Sequence, residues 1–144
     1  MTTPMITLMY CSHGRIGDHD RADSAIHDIL VSARANNARE HVTGALLYSM
    51  NCFAQILEGP EEAVERIFAR LQHDSRHHDI VVLIKAPITE RRFPDWSMAF
   101  TSAGDVVQDL TPAAFRQAFA HPDEAAGMEL LKLIEKSMMS AQMW

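Results

Sequence analysis

The stretch from Asn36 to Gly59, NNAREHVTGALLYSMNCFAQILEG, constrains this chain more than any other. Val42 to Tyr48 is too rich in apolar and branched residues to lie on a surface. It is expected to pair with Cys52 to Gly59 as a hairpin across Ser49, Met50 and Asn51, with Asn51 supplying the positive φ of a tight turn. Alternation along the second strand puts Phe53, Gln55 and Leu57 on one face. A strand beside a buried one is buried as well, so Gln55 carries an amide into apolar surroundings, where it needs hydrogen-bond partners. Asn36 and Asn37 stand where the preceding helix is expected to stop, a place that suits a plain left-handed C-cap. With Gln55 they also make three carboxamides directed at one pocket. That donor and acceptor set fits a flat heterocycle carrying carbonyls and ring nitrogens.

Upstream, Met5 to Cys11 reads as a strand that is largely apolar on both faces, with Ile6, Leu8 and Tyr10 on one and Thr7, Met9 and Cys11 on the other. Tyr10 is either a core tyrosine with its hydroxyl at the sheet rim or a redox-active, hydrogen-bonding phenol in the pocket. Ser12 to Asp20 holds Gly14 and Gly17 but no strand-to-helix GxGxxG, and is an unspecific loop. From about Arg21 to Asn36, Ala22, Ile26, Ile29, Leu30 and Ala33 recur at three- and four-residue steps and predict a helix. Pro60, with Glu61 and Glu62, opens a second helix striped by Val64, Ile67, Phe68 and Leu71, on which Arg70 and Asp74 are spaced to pair. Ile80 to Ile84 is a continuous apolar strand. RRFPDWSMAF, from Arg91, holds a turn at Pro94 and a last strand with Trp96, Met98 and Phe100 on one face.

The order βαββαββ, with both helices on one face of a mixed sheet, is an α+β, ferredoxin-like arrangement. The opposite face, bearing Met9, Cys11, Ala54, Ile56 and Ala99, is mostly apolar and needs a cover. Two tail helices are expected to supply it or to serve a partner interface. One starts at Thr111-Pro112 with Phe115 and Phe119 a turn apart; the other is opened by Pro122-Asp123-Glu124 and striped by Leu130, Leu131, Ile134 and Met138.

A chain of 144 residues, 47% apolar and 22% charged, has the size and composition of one globular domain. No apolar run reaches the roughly 18 residues of a membrane helix, and MTTPMITLMYCSHGR lacks the basic start and clean apolar core of a signal peptide. A cytoplasmic protein is expected. The net charge of −6 argues against nucleic acid as the main partner. Cys11 and Cys52 make no disulfide framework and no CxxC site, and are read as buried thiols. His73 and His77 are four apart near the end of the second helix, beside His78 and Asp79. They lack the intervening Glu of the metalloprotease pattern and are read as surface or capping residues. With no GxSxG, P-loop or cysteine-nucleophile signature, no catalytic or metal-binding residue is assigned.

Six spaced motifs carry a further signal: YxS at Tyr10 and Ser12, ARxNN from Ala33 to Asn37, TGxLLY from Thr43, FxQxLEG from Phe53, DxRH from Asp74 and RxFxxWxM from Arg91. In this order they resemble the BLUF domains, flavin-binding blue-light sensors, over residues 5 to 100. Asn51 stands where that family usually carries a turn glycine. The resemblance implies a photosensor domain at 1–103, and 104–144 is expected to be a C-terminal extension formed by the two tail helices. It implies oxidised flavin held non-covalently between the two helices, FAD first and FMN or riboflavin as alternatives. Asn36, Asn37, Arg70 and Asp74 then anchor the flavin, Ile29 and Leu71 form its apolar walls, and Gln55 meets its ring edge.

The photoactive set implied by the same resemblance is Tyr10, Gln55, Trp96 and Met98. Tyr10 gives an electron and a proton to excited flavin, and Gln55 connects the two. The amide rotates or tautomerises, the flavin carbonyl receives a changed hydrogen bond, and absorption moves to the red. Trp96 and Met98 relay the change to the tail. The expected protein is a short stand-alone photoreceptor, not an enzyme, that forms a homo-oligomer and signals to a downstream protein. Two other classes share the fold: an acylphosphatase-like hydrolase with Arg34 and Asn37 handling a phosphate, and a ligand-free interaction module.

Overall fold

In the computed structural model, whose described residues are 4–15, 19–95, 98–102 and 111–141, the chain runs β1 (Met5–Gly14), α1 (His19–Arg39), β2 (Thr43–Ser49), β3 (Cys52–Pro60), α2 (Glu61–Gln72), β4 (His77–Ile88), β5 (Ala99–Ser102), α3 (Thr111–Ala120) and α4 (Glu124–Ala141). The five strands lie in the order β4-β1-β3-β2-β5. All neighbours are antiparallel except β2 and β5, which are parallel. This is the α+β, ferredoxin-like βαββαββ arrangement that periodicity predicts, with β5 as a parallel edge.

Period-two alternation divides the core into two layers. Ile6, Leu8, Tyr10, Leu46, Phe53 and Leu57 pack under Ile26 and Leu30 of α1 and Ala63, Val64 and Ile67 of α2. Met9, Cys11, Ala45, Leu47, Ala54 and Ile56 face the other way. They are covered by Phe115 and Ala118 of α3 and by Ala126, Leu130, Leu131 and Ile134 of α4. The tail helices therefore cover the apolar face that β1 and β3 demand. Glycine is needed at position 44 because the β3 backbone comes too close there for a side chain. A Cβ on Gly44 would stand 1.9 Å from the Ile56 carbonyl oxygen. Gly44→Ala is expected to force the strands apart and to cost about 1–3 kcal/mol, read as a lowered thermal midpoint.

Several local expectations are corrected. The hairpin loop is two residues, since Ser49 pairs with Cys52, and both Met50 (φ 50°) and Asn51 (φ 62°) take left-handed angles, as a type I′ turn requires. Helix α1 continues to Arg39, so Asn36 and Asn37 lie inside its last turns and are not its C-cap. The left-handed residue is His41, with φ 60°. Strand β4 is longer than Ile80 to Ile84 and begins at His77, which places His77 and His78 on a strand and not on the second helix. His73 is the C-cap of α2, as a capping histidine should be.

Strand β4 is also irregular. Its register against β1 shifts between Met9 and Tyr10 and again between Cys11 and His13, and Asp79 takes φ 55°. The second shift decides which histidine faces inward. Cys11 pairs with Val81, but Gly14 pairs with His77. Gly14 shares the face of Tyr10 and Ser12, so His77 is turned toward that layer; an unbroken register would have put His78 there.

Candidate functional site

One stripe of α1 (Ile29, Ser32, Ala33, Asn36, Asn37) and one of α2 (Ile67, Arg70, Leu71) line a cleft of about 220 Å³, together with Asp74, Arg76 and Gln55. The three- and four-residue steps of both stripes are those of a single helix face. All seven residues assigned to cofactor binding, Ile29, Asn36, Asn37, Gln55, Arg70, Leu71 and Asp74, line this one cleft. Arg34 does not. Its Nε donates instead to the Met98 carbonyl at 3.0 Å, which removes the cation that the hydrolase reading needs at the pocket.

The expected pairing of Arg70 with Asp74 is not formed. Asp74 is taken by Arg76, whose Nε lies 2.9 and 3.1 Å from its two oxygens and whose backbone N–H donates at 2.9 Å. The Arg76 hydrogen bond holds the Asp74 carboxyl below the usual carboxylate range, so it is ionised at neutral pH. Arg70 is half exposed, with Glu40 at 4.0 Å. The cleft thus has apolar walls at Ile29, Ile67 and Leu71, carboxamides at Asn36, Asn37 and Gln55, and a paired charge with a second cation. These groups fit a flat, polar-edged heterocycle with an ionised or hydroxylated tail.

Gln55 joins the cleft to the sheet. Register places it directly opposite Tyr10, both side chains pointing into the helix-covered layer. Tyr10 and Gln55 are 2% and 3% exposed. The phenol donates to Gln55 Oε1, and Gln55 Nε2 donates to Met98 Sδ at 3.5 Å. Burial, and secondarily the Asp74 charge, push the Tyr10 phenol well above the ordinary tyrosine value, so it remains a protonated donor. Met98 is buried and sits just before β5. Trp96, the remaining member of the implied photoactive set, lies outside the described residues.

Sequence reasoning missed two buried polar groups. His77 lies beside Tyr10, with Ser12 Oγ 2.8 Å from Nδ1 and the Leu71 carbonyl 2.6 Å from Nε2. It is buried, not a surface residue. Glu58, 1% exposed, accepts the backbone N–H of Arg92 and of Phe93 at 2.9–3.0 Å. The Arg91 guanidinium donates to the carbonyls of Glu58 and His41 and to Thr43 Oγ1. Together they fasten the segment leading to Met98 onto β2 and β3. The signal was a charged residue inside an apolar strand, spaced to the arginines of RRF.

Cys11 and Cys52 are free, one buried and one half-buried, and burial pushes the Cys11 thiol up to about 12. Among the described residues, no helix is long and apolar enough to cross a membrane, and no group of three His, Cys, Asp or Glu is placed to hold a metal ion.

Comparison with known proteins agrees with this geometry. The family model described as "BLUF: Sensors of blue-light using FAD" matches residues 5–99. The photoactivated adenylate cyclase subunit beta of Euglena gracilis is 35% identical over 97 residues, 67% of this chain but 11% of that protein. The blue light- and temperature-regulated antirepressor BluF of Escherichia coli (strain K12) is 38% identical over 89 residues, 62% of this chain and 21% of that protein. The chain therefore spans only a small part of these curated relatives. The dark-state structure of the BLUF protein BlrB superposes with a TM-score of 0.74 at 32% identity, covering 92% of this chain and 98% of that one. With the fold, the cleft and the buried phenol–amide pair in agreement with that match, the chain belongs to the BLUF family of flavin-using blue-light sensors.

Proposed function

We propose that the cleft between α1 and α2 holds oxidised flavin, FAD by preference, and that Tyr10 and Gln55 turn absorbed light into a changed hydrogen-bond pattern there. The observation that carries this reading is the buried chain from Tyr10 through Gln55 to Met98, whose middle member, Gln55, lines the cleft. FAD, over FMN or riboflavin, is favoured by the family description. Asn36, Asn37, Arg70 and Asp74 anchor the cofactor, and Ile29 and Leu71 wall it.

Bound in the cleft and excited by blue light, flavin supplies a one-electron oxidant. Tyr10 is the donor: an electron leaves the phenol, and its proton moves along the existing bond toward Gln55 Oε1. When electron and proton return, the Gln55 amide has turned over, so that its N–H faces the phenol oxygen and its carbonyl faces the opposite way. Met98 Sδ thereby loses its donor. The segment carrying Met98, with Trp96 beside it in sequence, passes this change through β5 to α3 and α4. Residues 1–103 act as the sensor and 104–144 as the output element.

This is a sensor and not an enzyme. Its output is contact with a downstream protein from within a homo-oligomer in the cytoplasm. The purified protein is expected to be yellow, to release intact flavin on heating or acidification, and to shift reversibly to the red under blue light. Chromatography of the released flavin identifies it. A colourless protein that takes up no added flavin would end this reading.

A further inference from the structure

We propose that His77 is a positioning residue for the light-driven donor: it clamps the last turn of α2 to the part of β1 that carries Tyr10, and so sets how fast light converts the protein. The inference rests on the reading of Tyr10 given above, but its structural half does not require bound flavin.

The hydrogen bonds of His77 fix the place of one ring proton. The Leu71 carbonyl can only accept, so Nε2 carries the ring proton and donates to it at 2.6 Å. Ser12 Oγ, 2.8 Å away, pairs with Nδ1, and its hydroxyl serves this nitrogen as donor or acceptor. Both nitrogens are engaged, leaving none to bind a metal or exchange a proton with Tyr10. The ring is held beside Tyr10, centroids 5.9 Å apart, and edge-on to Phe53 at 6.3 Å. Tyr10 stays protonated, and Asp74 is paired with Arg76.

The two ends of this chain matter because of what they carry. Leu71 lies in the last turn of α2, where carbonyls lack a partner within the helix. Its carbonyl also accepts the Asp74 N–H at 3.1 Å, and the side chains of Leu71 and Asp74 line the cleft. Ser12 lies two residues beyond Tyr10 on the same strand face and is fully buried. One imidazole therefore spans from the cleft wall to the strand of the donor. It occupies that place only because the register of β4 shifts at Asp79. The distance and angle from the phenol to anything bound in the cleft are set through this link, and electron transfer depends steeply on both.

Three variants test the idea. His77→Phe keeps ring volume and removes both bonds, Ser12→Ala removes one arm, and His77→Gln restores an amide donor and acceptor. In the flavin-free protein, hydrogen exchange of the His73 and Asp74 amides should rise at least tenfold in His77→Phe and less in Ser12→Ala. In flavin-loaded protein, the initial rate of photoconversion should change at least threefold in His77→Phe, and in the same direction in Ser12→Ala. His77→Gln should recover at least half of the loss, and the double variant Ser12→Ala/His77→Phe should behave as His77→Phe alone. Parent-like exchange and photoconversion in Ser12→Ala would overturn the proposal, even if His77→Phe fails to fold. So would effects of the two single variants that multiply in the double. A parent protein with no red shift would instead sink the photoreceptor reading and leave the exchange measurement to judge the clamp.

Discussion

Tyr10→Phe is expected to bind flavin and to show no light-induced red shift. The substitution keeps the aromatic volume that packs against Phe68, 5.6 Å between centroids, and removes one neutral hydrogen bond, at about 0.5–1.5 kcal/mol. Fold and cleft should survive, since none of the side chains lining the cleft is changed. The phenol, however, is the only donor described on Gln55 Oε1 and the proposed source of both electron and proton. Gln55→Leu should also lose the red shift, at a larger stability cost. It leaves the Tyr10 hydroxyl buried without its acceptor, a penalty of roughly 1–3 kcal/mol. Light-minus-dark spectra of flavin-loaded variants decide the matter, and a normal reversible shift in either would place the switch elsewhere. Alkaline pH offers a companion check. The folded phenol titrates above its unfolded value of about 10. Its burial therefore costs no stability below that pH and becomes destabilising above it, and the light response should not fade through phenol ionisation up to about pH 10.

A chain ended at Ser102 is expected to be insoluble or largely unfolded. Phe115, Leu130, Leu131 and Ile134 are each under 5% exposed, against a sheet face bearing Met9, Leu47 and Ile56. At about 1.5–3 kcal/mol for each fully buried large side chain, these four contribute roughly 6–12 kcal/mol. That is comparable to the whole stability of an ordinary domain, about 5–15 kcal/mol. The shortened sheet would also present a continuous apolar face, a surface that drives association. Sedimentation and urea midpoints compare it with the full chain. Equal stability and an unchanged oligomeric state would show that α3 and α4 are dispensable to the sensor.

The parts of this protein that follow from local periodicity were legible in its residues. Alternation in β1 and β3 separates Tyr10 and Gln55 from Met9 and Ile56, and helical spacing gathers Ile29, Asn36 and Asn37 opposite Arg70 and Leu71. What escaped was decided by non-local or irregular geometry. Arg70 is ideally spaced from Asp74 along a helix, but α2 stops at Gln72, and a tight turn gives Asp74 to Arg76. His77 is on no helix face because α2 ends at Gln72 and β4 begins at His77, and a register shift beside the left-handed Asp79 turns it inward. Glu58 reads as a charge in a buried strand until the segment after β4 folds back and offers it the N–H groups of Arg92 and Phe93. Asn36 and Asn37 read as a helix end because asparagine tolerates left-handed angles, but α1 runs on through Ala38 and Arg39, and the left-handed residue is His41.

Strand β5 has only four residues and one neighbour, the parallel β2. Short parallel edge pairing is the least cooperative part of a sheet, so this strand sits at the low end of the protein's local opening free energies. It is nevertheless tethered by the Arg34 guanidinium, which grips the Met98 carbonyl while Gln55 holds the Met98 sulfur. One hold is the amide proposed to switch and the other a permanent cation on the helix that lines the cleft. In the mechanism proposed above, turning the amide releases the sulfur alone, and the Arg34 bond to the Met98 carbonyl keeps the strand from detaching. The tether on a backbone carbonyl is independent of the side chain that the switch acts on, so on this proposal the β2–β5 register is kept while the sulfur contact changes.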